Sequence, residues 1–158
     1  MSSATRTDLV SEFPPSTPGK AADDIPIVGK MGLEVLHAER GRCVVRLPFE
    51  PNINHVNMVY AGSIFTLAET PGGVLFVGAF DVSRFYPIVG EMKVRFARPA
   101  TTSLLVDARM TEDEIERVTA ELEEKGRAKW TLEQEVVDEG GHVVATTSAV
   151  YFGMAFPG

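Results

Sequence analysis

A single carboxylate, Glu69, stands inside the apolar run Leu67-Ala68-Glu69-Thr70-Pro71-Gly72-Gly73-Val74-Leu75-Phe76. Such surroundings disfavour the charged form and raise the pKa, which strengthens the group as a general base. The alternative is a Glu that bonds a loop N–H or an Asn and only fixes a contact between subunits. Ahead of it lies an Asn-rich loop, Asn52 to Val59, carrying Asn54 and His55. The Asn54 amide can donate to a carbonyl or orient water, or simply form a turn. His55 offers an acid, a base or a donor, or a surface hydrogen bond. Residues Ala61 to Ser63 then open a helix, whose free N–H groups and positive dipole end can hold a negative oxygen, with Gly62 permitting close approach. Ser63 reads as a polar first-turn residue, since no Ser-His-Asp pattern surrounds it. A base and an anion hole are the parts needed to set water against a polarised carbonyl.

The elements that must position these groups are legible on either side. Met31 to Ala38 alternates as a strand, Glu39-Arg40-Gly41 is a turn signal, and Arg42 to Phe49 is a second strand, together a hairpin that Pro48 and Pro51 end. Ala61 to Ala79 is apolar nearly all round, which marks a buried helix of about 28 Å. Pro71 predicts a kink near Leu67 to Pro71, because proline removes its bond to the Leu67 carbonyl. Tyr86 to Arg98 is a long strand with Met92, Val94 and Phe96 on one face and Lys93 and Arg95 on the other. Ser103 to Met110 is the next strand, antiparallel by its short connection. Thr111 and Glu114 have capping-box spacing for a helix whose stripe is Ile115, Val118 and Leu122 and which Gly126 stops. Arg127 to Asp138 and His142 to Phe152 are two more strands around a Glu139-Gly140-Gly141 turn. The expected fold class is α+β: an antiparallel six-stranded sheet curled round one long helix, with a small inserted helix.

The 158 residues suit one domain, expected over residues 29–156 behind a flexible tail of residues 1–28 rich in Ser, Thr, Pro and Asp. A net charge of −7 argues against a nucleic-acid surface. No run approaches the roughly 20 apolar residues of a membrane span, and the first residues have no apolar signal core. The lone Cys43, between Arg42 and apolar Val44, reads as a buried inert thiol. These features suit a cytoplasmic protein. His37 and His142 read as structural, and no metal-site pattern is present.

The frame Asn54-His55-Val56-Asn57-Met58-Val59-Tyr60-Ala61-Gly62, followed by Leu67-Ala68-Glu69, resembles the hotdog-fold acyl-CoA thioesterases. The match is nearest to their phenylacetyl-CoA thioesterase-like branch and its uncharacterised relatives. The strand Met92-Lys93-Val94-Arg95-Phe96-Ala97-Arg98-Pro99-Ala100 is also similar to one of theirs. Asn57, Tyr60 and Ala61 replace a glycine, a histidine and a glycine of that branch. The resemblance implies the hotdog fold and a site between two subunits, in which Glu69 is base or nucleophile and Asn54, Gly62 and His55 assist. It implies a substrate thioester of coenzyme A or acyl-carrier protein, with coenzyme A present only as part of the substrate and its phosphates meeting Arg98, Arg95 or Lys93. It also implies self-association as a dimer or dimer of dimers. Phe65, Leu75 and Phe76 would suit an aryl or medium-chain pocket, or the core. Two other readings stay open: a non-catalytic acyl-CoA binder, favoured by the three replacements, and a hydroxyacyl-thioester dehydratase. The dehydratase reading rests on the 14-residue step from His55 to Glu69, without that motif's intervening Pro and Gly.

Overall fold

The computed structural model describes residues 25–157, so most of the expected tail lies outside the described residues. The chain enters through a short helix, α1 (Pro26–Met31), whose first residues fall within the expected tail. Its signals are local: Pro26 in the first turn and Gly32 at the C-cap, with φ of 74°. Strands β1 (Glu34–Glu39) and β2 (Arg42–Leu47) form the hairpin, turning at Gly41. Helix α2 (Ala61–Ala79) follows the loop with the expected bounds. Then come β3 (Phe85–Phe96), β4 (Leu104–Arg109), α3 (Glu112–Lys125), β5 (Arg127–Asp138) and β6 (Val143–Ala155). Thr111 caps α3 by accepting from the Glu114 N–H at 3.2 Å, and Ile115, Val118 and Leu122 are its buried stripe.

The six strands form one antiparallel sheet in the order β1-β2-β4-β5-β6-β3. This is the hotdog arrangement. It corrects one local expectation: β4 does not lie beside β3, despite their short connection. Strand β3 pairs with β6 at one edge, while β4 sits between β2 and β5. Residues 97–103 cross over, held where the Ala97 N–H meets the Val144 carbonyl and the Val59 N–H meets the Ala100 carbonyl, both at 2.8 Å.

Helix α2 lies in the curl of the sheet. Leu67, Ala68, Leu75 and Phe76 are buried against the strands, and Phe76, Trp130 and Tyr151 stack in series, with ring centroids 5.6 Å apart at each step. Leu75 and Phe76 therefore belong to the core and not to a pocket. The helix is not covered all round. Phe65 and Val77 remain 41% and 58% exposed, and with Glu69 and Gly73 they repeat every four residues along one side.

Helical backbone continues on both sides of Pro71. Inward side chains of the sheet bond the carbonyls around it: Gln134 Nε2 donates to Ala68 at 2.8 Å, and the Tyr151 hydroxyl donates to Glu69 at 2.7 Å. The Cys43 thiol faces the Pro71 carbonyl at 3.8 Å. Tyr151 reaches the helix because Gly72 has no side chain; a Cβ there would overlap its ring. Gly72→Ala should therefore destabilise the protein by about 1–3 kcal/mol, the usual cost of overpacking, measured by urea unfolding against wild type. An unchanged unfolding midpoint would contradict this packing.

Candidate active site

Glu69 sits midway along the uncovered side of α2, partly buried beside a recess of about 230 Å³. Thr70, Gly73, Val74 and Val77 continue its wall along α2, Ile25 and Val28 close it from the α1 side, and Pro87 comes from β3. Among the described residues, the Glu69 carboxylate takes no hydrogen bond and no ion pair. Burial alone raises its pKa above the ordinary carboxylate range. Its main-chain carbonyl, by contrast, is anchored by Tyr151. The residue is held by its backbone while its carboxylate has no protein partner among the described residues.

The loop is rigidly bonded. Buried Asn52 donates from Nδ2 to the Met31 and Pro48 carbonyls at 2.8 and 2.9 Å. Asn54 Oδ1 accepts from the Val56 and Met58 N–H groups at 3.0 and 3.1 Å, the geometry of a turn-forming Asn. That leaves its Nδ2 donors without a partner among the described residues. Asn57 has φ of 58°, so it adopts the left-handed conformation that a glycine would take there. The replacement therefore keeps the loop's path. His55 is exposed at the loop tip, with no side-chain hydrogen bond among the described residues.

At the start of α2, Tyr60 is the N-cap, and its side chain makes no capping bond. Its ring lies over Gly62 on the side where a Cβ would point. Packing against Tyr60 is thus what the glycine permits. The Ser63 and Ile64 N–H groups both donate to the Tyr60 carbonyl, at 3.0 and 3.1 Å. The N–H groups of Ala61 and Gly62 have no partner among the described residues and remain open for an anion. Gly62 and Glu69 are seven residues apart, which is about two turns and about 10 Å along the axis. An oxyanion donor must lie about 3 Å from the reacting carbonyl oxygen, whereas a general base reaches the carbonyl carbon through a water.

The basic candidates lie elsewhere. Lys93 and Arg95 pair in register with Ser148 and Thr146, on the sheet face opposite α2. Arg98 is exposed just beyond β3. A larger cleft, about 500 Å³, opens on that opposite face where β4 and β5 part, but it carries Asp107 and Glu133, the wrong charge for a phosphate. Burial pushes the Cys43 thiol up to about 12, so it is not a nucleophile. His37 and His142 lie within 3.3 Å of Glu39 and Asp138 respectively, away from Glu69 in the sheet hairpins. No helix among the described residues is long and apolar enough to cross a membrane.

The model of a family described as "putative thioesterase (yiiD_Cterm)" matches residues 19–153. The chain belongs to this family. No curated protein matches it. Among solved structures it is similar to a protein of unknown function from Pseudomonas aeruginosa, described as a probable thioesterase. That similarity has 42% identity and a TM-score of 0.81, over 87% of this chain and 92% of that one. A thioesterase from Shewanella oneidensis, itself described as putative, shares the fold at 22% identity and a TM-score of 0.69, over 85% and 91%. A protein of unknown function from Chlorobaculum tepidum does so at 19% and 0.74, over 84% and 88%. Membership of the family supports a thioesterase-type function, and it fits the helix carboxylate and open helix N-terminus described above.

Sequence reasoning missed Gln134 and Tyr151, the side chains that fix the backbone around Glu69. Each looks like one more inward residue of an alternating strand. The only local hint was a polar Gln among the inward residues of β5, where every neighbour on that face is apolar.

The raised pKa of Glu69 has a consequence for stability. Its folded-state pKa exceeds the unfolded value, so ionisation opposes folding as pH rises through the folded pKa. Below the ordinary Glu pKa of about 4.3 the group is protonated in both states and this cost is absent. Glu69→Gln should therefore be more stable than wild type at neutral pH, with a difference that disappears in acid. Thermal unfolding across pH 3.5 to 8 measures it; a variant that is increasingly less stable as pH rises would contradict the unpaired carboxylate.

Proposed function

We propose that the protein hydrolyses an acyl-CoA thioester at a site shared by two copies of the chain. Glu69 of one copy is the general base, and the Ala61 and Gly62 N–H groups of the other form the oxyanion hole. The observation that carries this reading is the desolvated Glu69 carboxylate, without a partner among the described residues, on an exposed helix face about two turns along α2 from its open N-terminus. A second α2 laid antiparallel along the Phe65–Val77 side would bring the two features together. Strand β3 supports such pairing: it is a twelve-residue edge strand with Ile88, Val89 and Phe96 exposed and one side unpaired among the described residues.

In this mechanism Glu69 takes a proton from water while the water oxygen attacks the thioester carbon. The carbonyl oxygen becomes an oxyanion held by the two N–H groups. The tetrahedral intermediate collapses with cleavage of the C–S bond, and the leaving thiolate receives the proton from Glu69. The Asn54 Nδ2 donors, without a partner among the described residues, would orient the carbonyl or the water, and His55 would be an accessory donor. Arg98 serves the coenzyme A phosphates; Lys93 and Arg95 reach them only if the nucleotide passes round the sheet edge. The left-handed Asn57 weakens the reading of a decayed, merely binding site, because the loop keeps its glycine-like path.

With a panel of acyl-CoAs and thiol release as the readout, Glu69→Gln should lower kcat/KM about 100-fold or more. Equal rates would remove Glu69 from the mechanism, and tight binding without thiol release would establish a binder instead. Wild-type kcat/KM should rise with pH through an apparent pKa above the usual carboxylate range, because the ionised base is required. Ala61→Pro should leave the melting temperature close to wild type: proline suits the first helical position, and Tyr60, at φ −61° and ψ 133°, already has the conformation a following proline demands. The variant loses one oxyanion donor, and kcat should fall about 100-fold.

A further inference from the structure

Two side chains of the sheet reach the main chain of α2 at consecutive residues. Gln134 Nε2 on β5 donates to the Ala68 carbonyl at 2.8 Å, and the Tyr151 hydroxyl on β6 donates to the Glu69 carbonyl at 2.7 Å. Consecutive residues of an α-helix are turned by about 100° around its axis. One such bond would let the turn pivot about it. Two bonds, from different strands and different directions, fix both its rotation and its position along the axis. The turn lies at a weak point of the helix, because Pro71 has no N–H for the Leu67 carbonyl, two residues before Glu69.

Neither donor is what core packing alone would select. Gln134 is only 6% exposed, with buried Leu132 and Val136 on either side of it on the inward face of β5. A buried amide needs a hydrogen bond that an apolar residue would not. The short bond of its Nε2 goes to the helix; the contact with its cross-strand neighbour Thr147 is longer, at 3.4 Å. Tyr151 approaches the helix over Gly72, whose Cβ would overlap the ring. Its hydroxyl remains a donor, since burial first and the Glu69 charge second hold its pKa above the usual phenol range, with the Gly72 N–H acting in the opposite sense. The Cys43 thiol, which faces the Pro71 carbonyl from β2, is likewise kept neutral by burial. Neither group changes charge where a carboxylate titrates.

Resting on the thioesterase reading above, we infer that Gln134 and Tyr151 are positioning residues of the reaction: through the main chain of Ala68 and Glu69 they set where the carboxylate stands against the attacking water, without touching the substrate. A displacement of about 1 Å at a reacting group can cost about 100-fold in rate. The two bonds therefore weigh on kcat beyond what they contribute to folding.

The test compares wild type with Tyr151→Phe and Gln134→Met, which keep most of the side-chain volume and lose the donors. The control is Ile115→Val, a core change in α3 away from this turn. Thiol release from a panel of acyl-CoAs gives kcat and KM, thermal unfolding gives Tm, and carbon NMR follows the titration of the Glu69 carboxyl. Each donor variant should lower kcat about tenfold or more while KM stays within about twofold. Each should also lower the Glu69 pKa towards the ordinary value of about 4.3, because a carboxylate released from its buried position gains water. Ile115→Val should lower Tm and leave kcat and that pKa as in wild type. Unchanged kcat or an unmoved Glu69 pKa in both donor variants, or the same kcat loss in Ile115→Val, would overturn the inference while leaving hydrolysis intact. If wild type turns over no acyl-CoA, the hydrolase reading fails and the Glu69 titration alone decides: a lowered pKa in the donor variants sustains the positioning, and an unmoved one overturns it.

Discussion

A proline inside a buried helix leaves the carbonyl four residues back without its helical N–H. In this protein that weak point falls on the stretch that holds the candidate base. Pro71 has no N–H for the Leu67 carbonyl, and at the next two residues the sheet holds the helix by further bonds: Gln134 donates to the Ala68 carbonyl and Tyr151 to the Glu69 carbonyl. These bonds tie α2 to β5 and β6 at the point where the carboxylate leaves the helix. Gly72 lets the Tyr151 ring approach, and the aromatic series through Trp130 to Phe76 seats it. The backbone at Glu69 is therefore fixed from the sheet side, while its side chain points to the recess with burial raising its pKa. Precise backbone placement combined with a raised pKa suits a general base.

In the proposed mechanism a second copy completes the site: an antiparallel second α2 would set the carboxylate of one chain against the N-terminal N–H groups of the other. The side through Phe65, Glu69, Gly73 and Val77 and the edge of β3, unpaired among the described residues, are the surfaces on which a second chain would sit in that mechanism. In this account, burial of apolar surface and assembly of the site are one event.

Much of this was legible in the sequence where the signal is local. The bounds of α2, the cap at Thr111 and the strict alternation of β5 follow from periodicity and turn chemistry within a few residues. The family frame was legible too, and family membership bears it out. What escaped was long-range. The crossing from β3 to β4 depends on how the sheet curls, which no spacing between neighbours encodes. The partners of the Ala68 and Glu69 carbonyls lie 66 and 82 residues away. The Tyr60 ring packed where a Gly62 side chain would point was not legible from the spacing. Helix α1 carried ordinary signals in Pro26 and Gly32, but six residues are too few for a periodic pattern.

The central claim is that Glu69 of one chain acts on a thioester held at the α2 N-terminus of another. Mixing Glu69→Gln chains with Ala61→Pro chains, then allowing subunit exchange, tests it directly by thiol release. Each parent alone has every site disabled. A two-fold mixed dimer has one intact site and one doubly altered site, so a statistical mixture should recover about a quarter of wild-type activity. Activity no higher than that of the separate parents, with mixed dimers demonstrably formed, would contradict the account and place both features within a single chain's site.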